Sequence, residues 1–428
     1  MEGAAPPPAT AQVDDVSDFL NVKLGRLSAH RPPAMLLGGI NLVRALGIAG
    51  IPVIVASDER FTPAMASRYA VGRCALPPAA QREAVVERLL AAGEILTGAL
   101  CTRLPLIYGD DDQLALVHEY REALSPYYAF VLSDPALSRA LNSKPLFQAL
   151  AECRRLPVPR RLGWDDLADF EAPVLVKPRT KTSWQSSAVQ ARLLNGAGKA
   201  RVFADGRGLL NEPLARSLED ELTVQEYIPG DDRSLWSFHG FADEHGKLLA
   251  WFIGRKIRTY PPLTGDSSYL ELAHDPELAS LGRTLVQRIG LKGVFKMDFK
   301  RHAGTGEFFL LEVNARFNLW HYLGAKGGVN LAQVAYDYMT RGVRAAPVQM
   351  RTGYRWLSPR LDYLAYRALA ARRELTAGGW LGSLLASRKV YDLFAWTDPM
   401  PALAALWDEL RNFSRLRHRL MRWLSTAS

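Results

Sequence analysis

Apolar positions in the first third of the chain fall in short continuous runs, separated by Gly, Pro and charged residues. Ala34-Met-Leu-Leu37 and Pro52-Val-Ile-Val-Ala56 predict buried parallel strands joined by a helix around Asn41–Ala49. Leu104-Pro-Leu-Ile-Tyr108 adds a strand, and Asp112–Leu124 has the spacing of an amphipathic helix. This alternation predicts an open α/β sheet over residues 31–135. The stretch Ala34–Ala56 is long enough to suggest a membrane span. It is broken by Gly38-Gly39, Gly47, Gly50 and Pro52 and carries Asn41 and Arg44. A charge at mid-span costs about 2.5–3.5 kcal/mol, so strand, turn, helix and strand is the better assignment.

From Asn142 the pattern changes. Pro145–Cys153 is helical, Leu156-Pro-Val-Pro159 interrupts it, and Pro173-Val-Leu-Val-Lys-Pro178 is a strand ending on a lysine. A second lobe is expected to open near Leu222, with strands near Ser234–Phe241 and Leu248–Ile253 and a helix over Leu278–Ile289. From about Ala346 the chain reads as helical segments rich in Trp, Leu and Arg. The domains so defined are a leader (1–30), an α/β domain (31–135), two lobes (136–221 and 222–345) and a helical extension (346–428).

The chain has 428 residues, more than one compact core accommodates, and roughly two to four lobes are expected. The formal charge of +9 suits a protein that handles anions. Cys74, Cys101 and Cys153 are far apart, which argues against a disulfide framework and for a reducing, cytoplasmic setting. Met1–Asp15 lacks a basic segment followed by an apolar core, so it reads as a flexible leader rather than a secretory signal.

The richest chemistry lies in Gly293–Lys300 and Glu307–Asn314, which predict a hairpin around Gly304 and Gly306. Strict alternation puts Phe295, Met297 and Phe299 on one face and Lys296 and Asp298 on the other. On the partner strand, Leu311 and Val313 share one face and Glu312 and Asn314 the opposite one. If the polar faces coincide, two carboxylates and an amide oxygen converge beside a lysine. Such hard oxygen ligands suit Mg2+ shared with substrate phosphates, although an exposed polar face is the plainer alternative. Arg316 follows at the strand end, and Lys144 and Lys177 lie upstream as candidate phosphate contacts.

Taken in order, Asn-Ser-Lys144, Val-Leu-Val-Lys177-Pro, Val-Gln225-Glu-Tyr-Ile-Pro-Gly-Asp-Asp232, Lys296-Met-Asp298 and Leu-Glu312-Val-Asn314-Ala-Arg316 resemble the ATP-grasp superfamily, in particular its carboxylate–amine ligases. The resemblance covers most of residues 31–345. It implies a mixed α/β and α+β chain: an ATP-grasp fold preceded by an open α/β domain and followed by the helical extension.

By the same resemblance, Lys144 and Lys177 contact the ATP phosphates, and Gln225, Glu226, Tyr227 and Ile228 form the adenine hinge. Asp232, or Asp231, takes the ribose. Asp298, Glu312 and Asn314 hold Mg2+, with Mn2+ as an alternative ion, and Lys296 and Arg316 balance charge on the transferring phosphoryl group. Arg255, Lys256 and Arg258, in the basic run Gly254–Pro262, are further candidates for the γ-phosphate or a substrate carboxylate, with a plain basic loop as the alternative. The implied reaction joins a carboxylate to an amine through an acyl-phosphate. Carboxylating, phosphorylating and non-catalytic ATP-binding proteins are the alternatives. Family members commonly carry a glycine-rich loop after the strand-ending lysine. Here Arg179–Ser187 has no glycine, which argues against close similarity to biotin carboxylase.

Other segments are less informative. Gly38-Gly39 lacks the GxGxxG spacing of a dinucleotide site. Leu403–Leu424 is an amphipathic, arginine-rich helix expected to dock on the body of the protein, or else on a membrane surface or anionic partner. The eight histidines show no metal spacing. The expected partners are small-molecule carboxylate and amine substrates, no nucleic acid is expected, and a homodimer is left open.

Overall fold

The computed structural model describes residues 18–59, 62–179, 200–344, 348–385 and 387–411. The chain divides into two compact units, the first built from residues up to 109, 115–130 and 396 onward, the second from 110–114 and 131–395.

The first unit is a six-stranded sheet of β1 (Leu20–Val22), β2 (Ala34–Leu37), β3 (Val53–Ser57), β4 (Ala70–Ala75), β5 (Leu104–Tyr108) and β6 (Tyr128–Ala129), in the order β1-β4-β3-β2-β5-β6. The central pairings are parallel. Every residue of β2 and β5 is buried, as expected of strands covered on both faces. Between β2 and β3 the chain turns at Gly38-Gly39 into the helix Ile40–Gly47, so the apolar stretch is globular core. No helix among the described residues is long and apolar enough to cross a membrane. The leader is shorter than expected. Leu20 and Val22 are buried, and β1 pairs antiparallel with β4.

The second unit holds two sheets. The smaller is β7 (Val174–Pro178), β8 (Arg201–Phe203) and β9 (Leu222–Glu226), in the order β8-β7-β9. Val174, Val176, Phe203, Leu222 and Val224 form its core, so the segment from Leu222 completes this sheet rather than opening the next lobe. The larger has seven strands: β10 (Leu235–Ala242), β11 (Leu248–Tyr260), β12 (Asp266–Leu272), β13 (Gly293–Arg301), β14 (Phe308–Asn314), β15 (Tyr354–Leu357) and β16 (Arg388–Tyr391). Their order is β14-β13-β10-β11-β12-β15-β16. The C-terminal region is thus not purely helical, because β15 and β16 extend the sheet beyond β12. Of the predicted helix Leu403–Leu424, residues 412–424 lie outside the described residues. The part that is described leaves Leu403, Leu406, Trp407 and Leu410 exposed rather than packed.

Candidate active site

β13 and β14 form the predicted hairpin. Phe295, Met297 and Phe299 are fully buried, while Lys296 lies opposite Asn314 and Asp298 opposite Glu312. A register shift after Asp298 leaves Leu311 as a bulge, and Phe299 pairs with Leu310. Strict alternation therefore fails for Leu311: Leu310, not Leu311, joins Val313 in the core. The bulge keeps both halves of β14 facing inward and leaves Glu312 and Asn314 on the polar face.

On that face the groups touch. Lys296 Nζ lies 2.6 Å from Asp298 Oδ2, the Ser237 hydroxyl donates to Asp298, and Asn314 Nδ2 donates to Glu312 Oε1 over 3.2 Å. Burial opposes the Asp298 charge, but Lys296 and Lys256 hold its carboxyl well below the usual range. The surrounding protein and then the Asp298 carboxylate push Glu312 upward. Among the described residues no cluster of three or more His, Cys, Asp or Glu side chains forms, so there is no all-protein metal cage. Two carboxylates and one amide oxygen, with an ammonium already against one carboxylate, fit a Mg2+ that takes its remaining ligands from phosphate and water.

The two upstream lysines reach the same place. Val174 and Val176 point into the small sheet's core, which turns Lys177 to the opposite face. Lys144 opens the helix Lys144–Cys153, and its ammonium donates to the Pro178 carbonyl. With Gln225, Arg161, Glu312 and Asn314 they line a cleft of about 220 Å³ between the two sheets. Burial, and then Lys144, lower the Lys177 ammonium to about 8. Burial also lowers Lys144, opposed by Glu312. A pair of lysines desolvated against each other is short of anionic charge.

Arg316 reaches the cleft's rim. Its Nε lies 2.7 Å from Asp111 Oδ1, and one terminal nitrogen lies 3.4 Å from Asn314 Oδ1. Asp111, which lines the cleft, was not foreseen, and neither was Arg161. Nor was Lys300, which alternation from Lys296 and Asp298 could have flagged. It is buried and sits 4.2 Å over the Tyr227 ring.

The basic run is strand, not loop, and its cations separate. β12 pairs with β11 through Arg255–Glu271, Lys256–Leu270 and Arg258–Tyr269, leaving Ile257 as a bulge. Arg255, opposite in facing to Lys256 by plain alternation, leaves the site: its Nε donates to Glu271 Oε1 over 2.9 Å, and the guanidinium lies over Trp236. Arg258 makes two bonds to Asp362. Only Lys256 faces the Asp298, Glu312 and Lys296 charges; burial lowers its ammonium, opposed by Asp298.

The hinge is partly committed within the protein. Gln225 is buried, and its backbone pairs with Leu175. Glu226 Oε1 accepts from Arg160 N, Tyr227 N donates to the Pro173 carbonyl, and Ile228 is buried. Asp232 departs from expectation. Its carboxylate accepts from Thr259 N, Thr259 Oγ1 and Leu263 N at 2.7–2.8 Å, tying the β11–β12 connection rather than presenting itself to a ribose. Asp231 is exposed. Of the glycine-free loop, residues 180–187 lie outside the described residues.

Comparisons with known proteins bear on the fold. An L-amino acid ligase from Bacillus licheniformis superposes with a TM-score of 0.51 at 17% identity, over 72% of this chain and 74% of that one. The biotin carboxylase domain of Hydrogenobacter thermophilus 2-oxoglutarate carboxylase, solved with MgADP and bicarbonate, gives 0.54 at 14% identity, over 76% and 73%. The chain has the ATP-grasp fold. Residues 219–358 match the family described as ATP-grasp in the biosynthetic pathway with Ter operon. The D-aspartate ligase of Enterococcus faecium is 24% identical over 244 residues, 53% of this chain, and the match spans 56% of that relative.

Proposed function

We propose that the protein is an ATP- and Mg2+-dependent carboxylate–amine ligase. The observation that carries this reading is the meeting, in one cleft, of Lys144 and Lys177 from the small sheet's side with Glu312 and Asn314 from the hairpin. Asp298 and Lys296 adjoin them on the same polar face. A cation-rich wall facing an oxygen-donor wall fits a triphosphate carrying a divalent ion.

In this reading Lys144 and Lys177 hold the phosphates, and ATP binding restores the charge that burial suppresses on Lys177. Asp298, Glu312 and Asn314 would hold Mg2+, which would supply positive charge to offset that of the phosphates. Gln225–Ile228 flank adenine. Asp231 is exposed, and although its Oδ1 accepts from Arg233 N and the Ser234 hydroxyl, it rather than Asp232 meets the ribose. The substrate carboxylate attacks the γ-phosphorus, the bond to the β–γ bridging oxygen breaks, and ADP leaves. Lys296, Lys256 and Arg316 balance the charge that gathers on the acyl-phosphate. The amine attacks the acyl carbon, loses a proton, and expels phosphate. Similarity to a D-aspartate ligase supports an amino acid among the substrates.

The test is incubation with Mg·ATP, a panel of L- and D-amino acids, and a metabolite extract, reading ADP and new masses together. ADP release with a product one water lighter than its two precursors supports the ligase. A product heavier by one phosphoryl group, or a carboxylated product, replaces it with the kinase or carboxylase alternative. Glu312→Gln and Asn314→Ala should abolish turnover while keeping the fold; unchanged turnover removes the metal assignment.

A further inference from the structure

A second concavity, of about 850 Å³, lies outside the cleft between the start of β11, the helix Pro276–Ile289 and residues 348–350. Its charge is one-sided. Lys247, Arg283, Lys292, His245 and His274 line it, and no carboxylate does. The acid beside it, Glu244, lies 3.4 Å from His245 and accepts a hydrogen bond from Tyr338. Lys247 and Arg283 are exposed.

Its wall is a strand edge. β10 runs along one side of β11 from Leu248 onward. β12 joins the other side only from Gly254, and Ala273 N reaches the Ile253 carbonyl. Residues 248–252 therefore have, among the described residues, no strand on their second edge. Trp251, stacked on Phe238 with centroids 5.3 Å apart, anchors this edge in the core. An unpaired edge offers main-chain donors and acceptors in the spacing of one further strand.

We propose that this slot docks an extended acidic peptide segment, which pairs with the Leu248–Phe252 edge while its carboxylates meet Lys247, Arg283 and Lys292. Charge decides against a second copy of this chain. Edge-to-edge pairing of two copies would face one cation set with another, and no lining acid would compensate. The edge decides against a free anion, which would use the cations and leave the backbone groups unmet. The site is independent of the ATP cleft and does not rest on the ligase reading.

The experiment titrates the full chain with an N-acetylated octapeptide of alternating Glu and Val, followed by tryptophan fluorescence and calorimetry at low salt. Saturable one-to-one binding is expected, and it should weaken as salt rises. The variant Lys247→Glu/Arg283→Glu should bind about tenfold or more weakly, since reversing two facing charges turns attraction into repulsion. The same peptide N-methylated at alternate amides keeps its charge but cannot pair, and should not bind. The proposal is overturned by no saturable binding to the unaltered chain, by equal binding by the charge-reversed variant, or by equal binding of the N-methylated peptide. A concentration-dependent dimer that the octapeptide competes away would assign the edge to a second copy, and also overturns it.

Discussion

Lys296 places its ammonium 2.6 Å from the Asp298 carboxylate, two residues along the same strand and on the same face. Both groups are largely buried, and Lys256 bears on the same carboxylate. Asp298→Asn would leave two ammonium groups with Glu312 alone as their shared counter-charge. Breaking a buried ion pair on one side costs about 3–5 kcal/mol, and urea unfolding of the ligand-free variant should show a loss approaching that. Mg·ATP should raise the melting temperature of the unaltered chain and leave Asp298→Asn unmoved. Equal stability of the two ligand-free proteins would mean that the pair is not formed in solution.

Proton uptake should accompany nucleotide binding. Lys177 is lowered from 10.5 to about 8, so near pH 8 a substantial fraction of folded chains hold it neutral. Between these values the folded state binds fewer protons than the unfolded one. Ligand-free stability therefore rises with pH across that window, and the cost of burying the charge is fully present below it. Phosphate beside Lys177 would restore its ordinary affinity for a proton. Calorimetry at pH 8 in buffers of different ionisation enthalpy should show uptake of up to about half a proton per ATP bound. Lys177→Met should lose most of it. Identical uptake in the variant would remove Lys177 from the phosphates.

Acid should destabilise the fold through its buried histidines. His239 and His321 are fully buried, and no hydrogen-bond partner is present for their ring nitrogens among the described residues. Burial lowers His321 from 6.5 to about 3 and His239 well below its ordinary value. Both are therefore neutral in the fold. The His321 contribution is complete above pH 6.5 and is lost as pH falls toward 3, at about 1.4 kcal/mol per pH unit, and His239 acts in the same direction. His321→Phe should flatten stability against pH by one proton's slope between pH 6 and 4. Parallel curves would show that His321 already titrates normally.

In the first unit, Arg44 Nε meets Asp398 Oδ2 at 3.0 Å with both side chains fully buried. Asp398 also accepts from the Ser67 hydroxyl and from Arg68 N, fastening the segment after residue 396 to the helix Ile40–Gly47 and to the connection before β4. Asp398→Ala should cost about 3–5 kcal/mol. The paired change Arg44→Met with Asp398→Leu should cost less, because it leaves no isolated charge. A loss in Asp398→Ala no greater than in the pair would show that the segment is held by other contacts.

Several features were legible because they depend on neighbours in sequence. The β2–helix–β3 unit follows from apolar runs broken by Gly38-Gly39 and Pro52. The facing of Lys296, Asp298, Glu312 and Asn314 follows from the two-residue period of a strand, and Lys177 turns outward because Val174 and Val176 turn inward. Side-chain alternation is a local geometric property, so it survives folding wherever the ladder is unbroken.

Tertiary structure decided what alternation does not reach. The bulges at Leu311 and Ile257 exist because partner strands fix the register, and each reverses the parity beyond it. One puts Leu310 in the core; the other divides Arg258 from Lys256. Asp232 was captured by Thr259 and Leu263, and Arg316 met Asp111 from 205 residues away. Sequence fixes which groups are charged and how they alternate. Which of them remain available to a ligand depends on the hydrogen-bond ladder and on distant partners, because a buried charge is claimed by the nearest opposite charge or backbone donor that folding brings to it.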